Sequence, residues 1–303
     1  MTVSIVLDCD PGHDDAFAIM LAVASPEVEL RGVTTVSGNQ TIEKTTANAL
    51  RVLELCDRAE VPVARGADRP LVREGYVAAY VHGETGLDGP DLPPPSYEPV
   101  AQNAVDFLAE HAAGATLVAT GPLTNVALLL AVHPDARPER IVLMGGAIGE
   151  GNVTPAAEFN IWADPEAARR VFESGIDTTL VGLDVTHRAL IRPDHAERLR
   201  GAGRVGRAAA ELWDFYSRFH REVYPELGGS PMHDPVALAH VFHDGILEVK
   251  RARIEVDCGW EQGRGRTNVD LRGRLGREPN AWAAVDVDGE AFAELLVERI
   301  SRL

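Results

Sequence analysis

Four carboxylates crowd into eight residues near the start of the chain, in Asp8-Cys9-Asp10-Pro11-Gly12-His13-Asp14-Asp15. Before them Ser4-Ile5-Val6-Leu7 reads as a short buried strand, and after them Ala16–Ala22 reads as a buried helix. The cluster therefore sits on a strand-to-helix turn shaped by Pro11 and Gly12. In a parallel α/β sheet such turns lie at the carboxyl ends of the strands, where ligands bind. Carboxylates this close repel one another unless positive charge lies among them, and a hard cation such as Ca²⁺ or Mg²⁺ takes clustered carboxylate oxygens. A single Asp14 or Asp15 is explained as a helix cap that complements the dipole. The whole cluster is better explained by a cation.

Downstream, strands and helices alternate. Val28–Val36 reads as a strand ending in Ser37-Gly38-Asn39, Thr41–Cys56 as a helix, and Val61-Pro62-Val63 as the start of an edge-like strand. Helix 100–111, strand 116–119, helix 123–132, strand 140–144 and strand 179–183 continue the series. The spacing predicts a single α/β domain over 1–303, its mostly parallel central sheet flanked by helices and joined by right-handed crossovers. Residues 66–99 break the alternation with Gly83, Gly86, Gly89 and Pro93-Pro94-Pro95, and so long a loop in a compact domain points to an active-site loop. Asp164-Pro165 and Asp234-Pro235 both carry the signature of an N-cap followed by proline at the first helical position. Residues 192–224 read as mostly helical. Their stripe of Trp213, Phe215, Tyr216 and Phe219 is assigned to the core.

Composition narrows the function. A formal net charge of −17 excludes a nucleic-acid partner, which requires a basic face. Lys44 and Lys250 are the only lysines, so chemistry that needs one has two candidates. Three widely spaced cysteines (Cys9, Cys56 and Cys258) fit neither a disulfide framework nor a zinc site. The chain carries no apolar run of membrane-spanning length and starts without a basic leader. The expectation is a reduced, cytoplasmic enzyme or binding protein with no membrane partner.

Read together, these motifs resemble the inosine–uridine-preferring nucleoside hydrolases. The likeness begins in Asp8–Ala16 and runs through Ser37-Gly38-Asn39, Val81–Leu87, Thr120–Asn125, Met144–Ala147, Pro155–Asn160 and His233-Asp234-Pro235. It implies a Rossmann-like fold and hydrolysis of a ribonucleoside to ribose and free base with bound Ca²⁺. Asp10, Asp15, Asp234 and the carbonyl of Thr120 match the family's calcium ligands. Asp14, Asn39, Asn152, Glu158, Phe159 and Asn160 match its ribose-binding set, with Met144 lining the same pocket. His233 is the candidate acid or hydrogen-bond donor toward the departing base, and His82 a second contact on that side. The segment 204–232 lies near the base pocket. Gly86–Pro90 and Leu183–His187 are most similar to the pyrimidine-preferring bacterial members, which favours uridine and cytidine over inosine. By resemblance the chain assembles as a homodimer or homotetramer.

The chemistry accounts for these residue types. Cleavage of an N-glycosidic bond develops oxocarbenium character in the sugar, which nearby negative charge stabilises. The metal positions and acidifies a water, and Asp10 takes its proton. Two rivals compete. A haloacid-dehalogenase-type phosphohydrolase also ends its first strand in an Asp-x-Asp pair, but needs a downstream lysine. A non-catalytic ribose- or calcium-binding protein would keep the sugar contacts and need no base.

Overall fold

The computed structural model describes residues 2–303. The chain opens β1 (Val3–Cys9), α1 (His13–Ala24), β2 (Val28–Thr35), α2 (Ile42–Leu55), β3 (Val63–Arg65). It goes on through α3 (Ala79–His82), α4 (Ala104–His111), β4 (Thr116–Ala119), α5 (Thr124–Val132), β5 (Arg140–Met144), α6 (Phe159–Ala163), α7 (Pro165–Phe172) and β6 (Asp177–Val181). Then come α8 (Leu183–Thr186), β7 (Leu190–Ile191), α9 (Pro193–Arg200), α10 (Gly203–Val223), β8 (Ser230–Pro231) and α11 (His233–Phe242). The last elements are β9 (Leu247–Val256), β10 (Thr267–Asp270), β11 (Ala281–Val287) and α12 (Gly289–Ile300).

Nine strands form one sheet in the order β10-β9-β11-β6-β5-β4-β1-β2-β3. Every pairing from β11 to β3 is parallel, and β9 pairs antiparallel with both β11 and β10. Strand order reverses between β1 and β4, so the crevice for a ligand opens beyond the carboxyl ends of those two strands. β1 shows how the sequence builds the two layers. Ile5, Leu7 and Cys9 enter the core cluster shared with α1 and α2, while Val6 enters the opposite cluster with Phe107, Leu123 and Val126. Asp8, on the Val6 face, accepts hydrogen bonds from Thr34 Oγ1 (2.5 Å) and Asn125 Nδ2 (2.8 Å), tying β1 to β2 and α5. Cys9 is fully buried, and burial pushes its thiol well above the usual range, in keeping with a packing role.

Several boundaries differ from the sequence expectation. α1 starts at His13, because Asp15 Oδ2 accepts the Gly12 N–H (3.0 Å) and nucleates the helix one turn earlier. α4 starts at Ala104, where Asn103 caps Asp106, while Val100 instead lies alongside Ala64. β6 begins and ends two residues earlier than read, and Leu183–Thr186 is a helical turn. Residues 192–224 are mostly helical as read, divided into α9 and α10. β11 was not legible, since its alanines are poor strand formers and only the sheet selects that conformation. Asp164 does cap α7, accepting from Ala167 N (3.0 Å). Asp234 does not cap: α11 starts at His233 with Met232 before it, which frees the Asp234 carboxylate for the crevice.

Candidate active site

The loops after β1, β2 and β4 build a buried acidic floor. Asp10 is fully buried; its Oδ2 accepts the Asn39 N–H (2.6 Å), and its Oδ1 has no hydrogen-bond partner. Gly38 and Gly121 flank this carboxylate so closely that a Cβ at either position would collide with it. Asp15 is more fully engaged, accepting from Gly12 N, from Asn39 Nδ2 (2.9 Å) and from Thr120 Oγ1 (2.9 Å). Carboxylate oxygens of Asp14, Asp15 and Asp234 lie within 4.8 Å of one another. Burial, followed by the charge of Asp15, holds the Asp10 carboxyl well above its ordinary range and Asp14 at about 8. Asp234 is pushed well up in the same way, first by burial and then by Asp14. An all-oxygen donor set, a partnerless buried Oδ1 and mutually repelling carboxylates fit a hard divalent cation.

Above this floor lies a cavity. Asp14, Asn39, His82, Thr120, Met144, Asn152, Glu158, Phe159, Asn160, His233 and Asp234 all line it. Of the residues singled out from sequence, only Asp10 and Asp15 are absent from the lining, and they sit beneath it holding Asn39 and Thr120. Asn160 is fixed by donating Nδ2 to the carbonyls of Thr120 (2.8 Å) and Met144 (3.1 Å). Glu158 caps α6, accepting the Asn160 and Ile161 N–H groups (2.9 and 3.2 Å), and also the Gly146 N–H (2.8 Å). Burial nevertheless raises its carboxyl to about 7. Asn152 Oδ1 accepts the Phe159 N–H (2.9 Å), closing the 151–160 segment onto this wall.

The rest of the lining is aromatic and imidazole-rich. Ala78, Tyr80, Val81 and His82 reach it from the long loop, and His187, Tyr216, Phe219, His220 and Tyr224 from α8 and α10. Here the core assignment of the aromatic stripe needs correction. Trp213 and Tyr216 do belong to the buried core, Trp213 donating Nε1–H to the Ile191 carbonyl (3.1 Å), but Tyr216 also lines the cavity and the half-buried Phe219 faces it. The available signal was the i, i+4, i+8 series Tyr216, His220, Tyr224, aromatic rings with polar atoms on one helix face. His82 Nδ1 accepts the His13 N–H (3.2 Å), one of the donors left free at the start of α1. His233 Nδ1 meets Thr186 Oγ1 at 2.7 Å. Burial first, then neighbouring histidines, holds both rings well below the ordinary histidine value, so each is a neutral imidazole at pH 7.

Fold and site together define an α/β protein with an acidic, cation-suited floor beneath a cavity lined by carboxylate and amide side chains. The sequence pattern of the inosine-uridine preferring nucleoside hydrolases matches residues 5–294, and the chain belongs to that family of N-glycosyl hydrolases. The pyrimidine-specific ribonucleoside hydrolase RihA of Klebsiella pneumoniae subsp. pneumoniae is 48% identical over 308 residues, which cover 99% of each chain. Its counterpart in Shewanella sp. (strain ANA-3) is 49% identical over 308 residues, 99% of this chain and 97% of that one. Among solved structures, a purine-preferring ribonucleoside hydrolase from Gardnerella vaginalis superimposes with a TM-score of 0.92 at 33% identity, covering 99% of this chain and 98% of its own. A plant nucleoside hydrolase does so with a TM-score of 0.93 at 32% identity, covering 100% of each.

Proposed function

We propose that this chain hydrolyses pyrimidine ribonucleosides, uridine and cytidine, to ribose and free base with Ca²⁺ as its metal. The observation that carries the reading is one cavity lined both by carboxylates and amides and by a connected set of imidazole and aromatic rings. That is the polarity a ribose joined to a flat heterocycle requires. The full-length likeness to pyrimidine-specific relatives supports the base preference.

Asp10, Asp15, Asp234 and the Thr120 carbonyl would hold the cation. When bound, it would acidify a water in its shell. Asp10 keeps one oxygen free of protein donors and so can take a proton. Asp14, Asn39, Asn152, Glu158 and Asn160 bind and orient the ribose hydroxyls, with Met144 and Phe159 against the sugar. Negative charge beneath the ring favours the cationic transition state. His233 and His82 present N–H donors to the departing base, as neutral imidazoles rather than as imidazolium acids. The 66–99 loop and the 204–232 segment close the base side, and a homodimer or homotetramer in the cytoplasm is the proposed assembly and location. No described helix is long and apolar enough to cross a membrane, and the three cysteines are free, as in a reducing compartment.

The phosphohydrolase rival lacks its lysine. Lys44 Nζ bonds the Gln40 side chain and the Glu84 carbonyl, Lys250 pairs with Glu248, and neither lines the cavity. Purine preference, as in the Gardnerella relative, is the second reading. Initial rates on uridine, cytidine and inosine decide it: higher kcat/KM on the first two supports the proposal, and inosine as best substrate overturns the base preference. Absence of base release from all three, with the protein folded, would leave only a binding function.

A further inference from the structure

Thr186 is fully buried on α8, outside the lining of the cavity, and its hydroxyl touches a single polar atom among the described residues, Nδ1 of His233 at 2.7 Å. A hydroxyl buried here must place its proton on an acceptor, since leaving it unmade costs about 1–3 kcal/mol. His233 Nδ1 is the one within reach. Were Nδ1 protonated instead, it would donate to Oγ1 and the threonine proton would have no acceptor.

We infer that Thr186 is a positioning residue that holds His233 in the Nε2–H tautomer and turns that N–H toward the leaving base. The remaining contacts of the ring cannot do this. His187 and His220 meet it only as tilted neighbours, with centroids 5.6 and 6.3 Å away. The hydrogen bond that the ring makes among the described residues is at Nδ1, and the residue lines the cavity. The donor that His233 shows to the base is thereby fixed by a single removable hydroxyl. Position 186 must then discriminate among substrates by leaving group, although it touches none of them.

The inference rests on His233 facing the leaving base, and the test separates the two claims. Wild type, Thr186→Val, Thr186→Ser and His233→Ala are assayed on uridine and on p-nitrophenyl riboside, whose nitrophenolate departs without help from a donor. Thr186→Val should lower kcat on uridine roughly ten-fold or more while changing kcat on the nitrophenyl riboside by less than about two-fold, and Thr186→Ser should restore uridine turnover. Equal loss on both substrates, or no loss on either, overturns the role of Thr186. If His233→Ala shows no such selectivity, it is the assignment of His233 that fails. The tautomer is read independently of any variant's folding by ¹⁵N NMR of the wild type, with His233→Ala identifying the resonance. A proton on Nε2 is expected, and a proton on Nδ1 overturns the inference.

Discussion

Glu158 illustrates how the site sets charge against burial. Three backbone N–H groups stabilise its ionised form, yet burial outweighs them and the carboxyl keeps its proton up to about 7, against 4.5 ordinarily. Between those values the folded state carries a proton that the unfolded chain has lost, so stability falls as pH rises through the window and is level above it. Glu158→Gln lacks this titration. Its unfolding free energy should gain on the wild type by roughly 3 kcal/mol between pH 4.5 and 7, measured by denaturant unfolding at each pH. Parallel profiles would contradict the burial argument. Asp10 is the proposed base instead. Its Oδ1 has no protein partner to lose, so Asp10→Asn should leave the melting temperature within a few degrees. It should lower kcat on uridine on the order of 10³-fold, and near-normal turnover would remove Asp10 as the base. Asp8, two residues earlier, is a structural brace between strands, its carboxyl raised by burial to about 6.

At the scale of elements, the long 66–99 loop owes its order to tethers rather than to regular structure. Leu71 N–H donates to Asp164 Oδ2 (2.8 Å), and Arg73, 5% exposed, holds both oxygens of Glu166 on α7 and the Cys258 carbonyl. Arg73→Ala removes a largely buried pair and should cost roughly 2–3 kcal/mol. Amide exchange around Leu71–Tyr80 should speed up on the order of ten-fold, read by mass spectrometry. Unchanged exchange would show that the loop is held elsewhere. No sequence periodicity announces such a loop, and its glycines and prolines revealed only that it was irregular. α10 was misread for a different reason. Aromatic residues at helical spacing look alike whether they meet aliphatic core or a cavity, and only the loop packed opposite, with Tyr80 against Phe219, distinguishes the two. By contrast the acidic floor was legible, because clustered carboxylates on a strand-to-helix turn have few physical explanations.

For the whole molecule, the strand order is what turns scattered motifs into one site. Asp10 follows β1 and Thr120 follows β4, and the two strands are neighbours at the point where the sheet reverses, with Thr120 N–H donating to the Asp8 carbonyl (2.8 Å). Alternation of strands and helices made the parallel sheet readable. The antiparallel pairing of β9 with β10 and β11, and the Ala-rich β11 itself, depend on partners distant in sequence, so they emerge only from the assembled sheet. Asp234 closes the floor from a position more than a hundred residues beyond Thr120, and its release from capping duty depends on where α11 begins. Calcium-dependent hydrolysis is the chemistry proposed for this floor, and removal of the ion tests it. Uracil release from uridine is followed with protein stripped by chelator and then resupplied with Ca²⁺. The expected result is turnover that disappears on stripping and returns with the ion. Full activity in the stripped enzyme, or none after Ca²⁺ is restored, would contradict it.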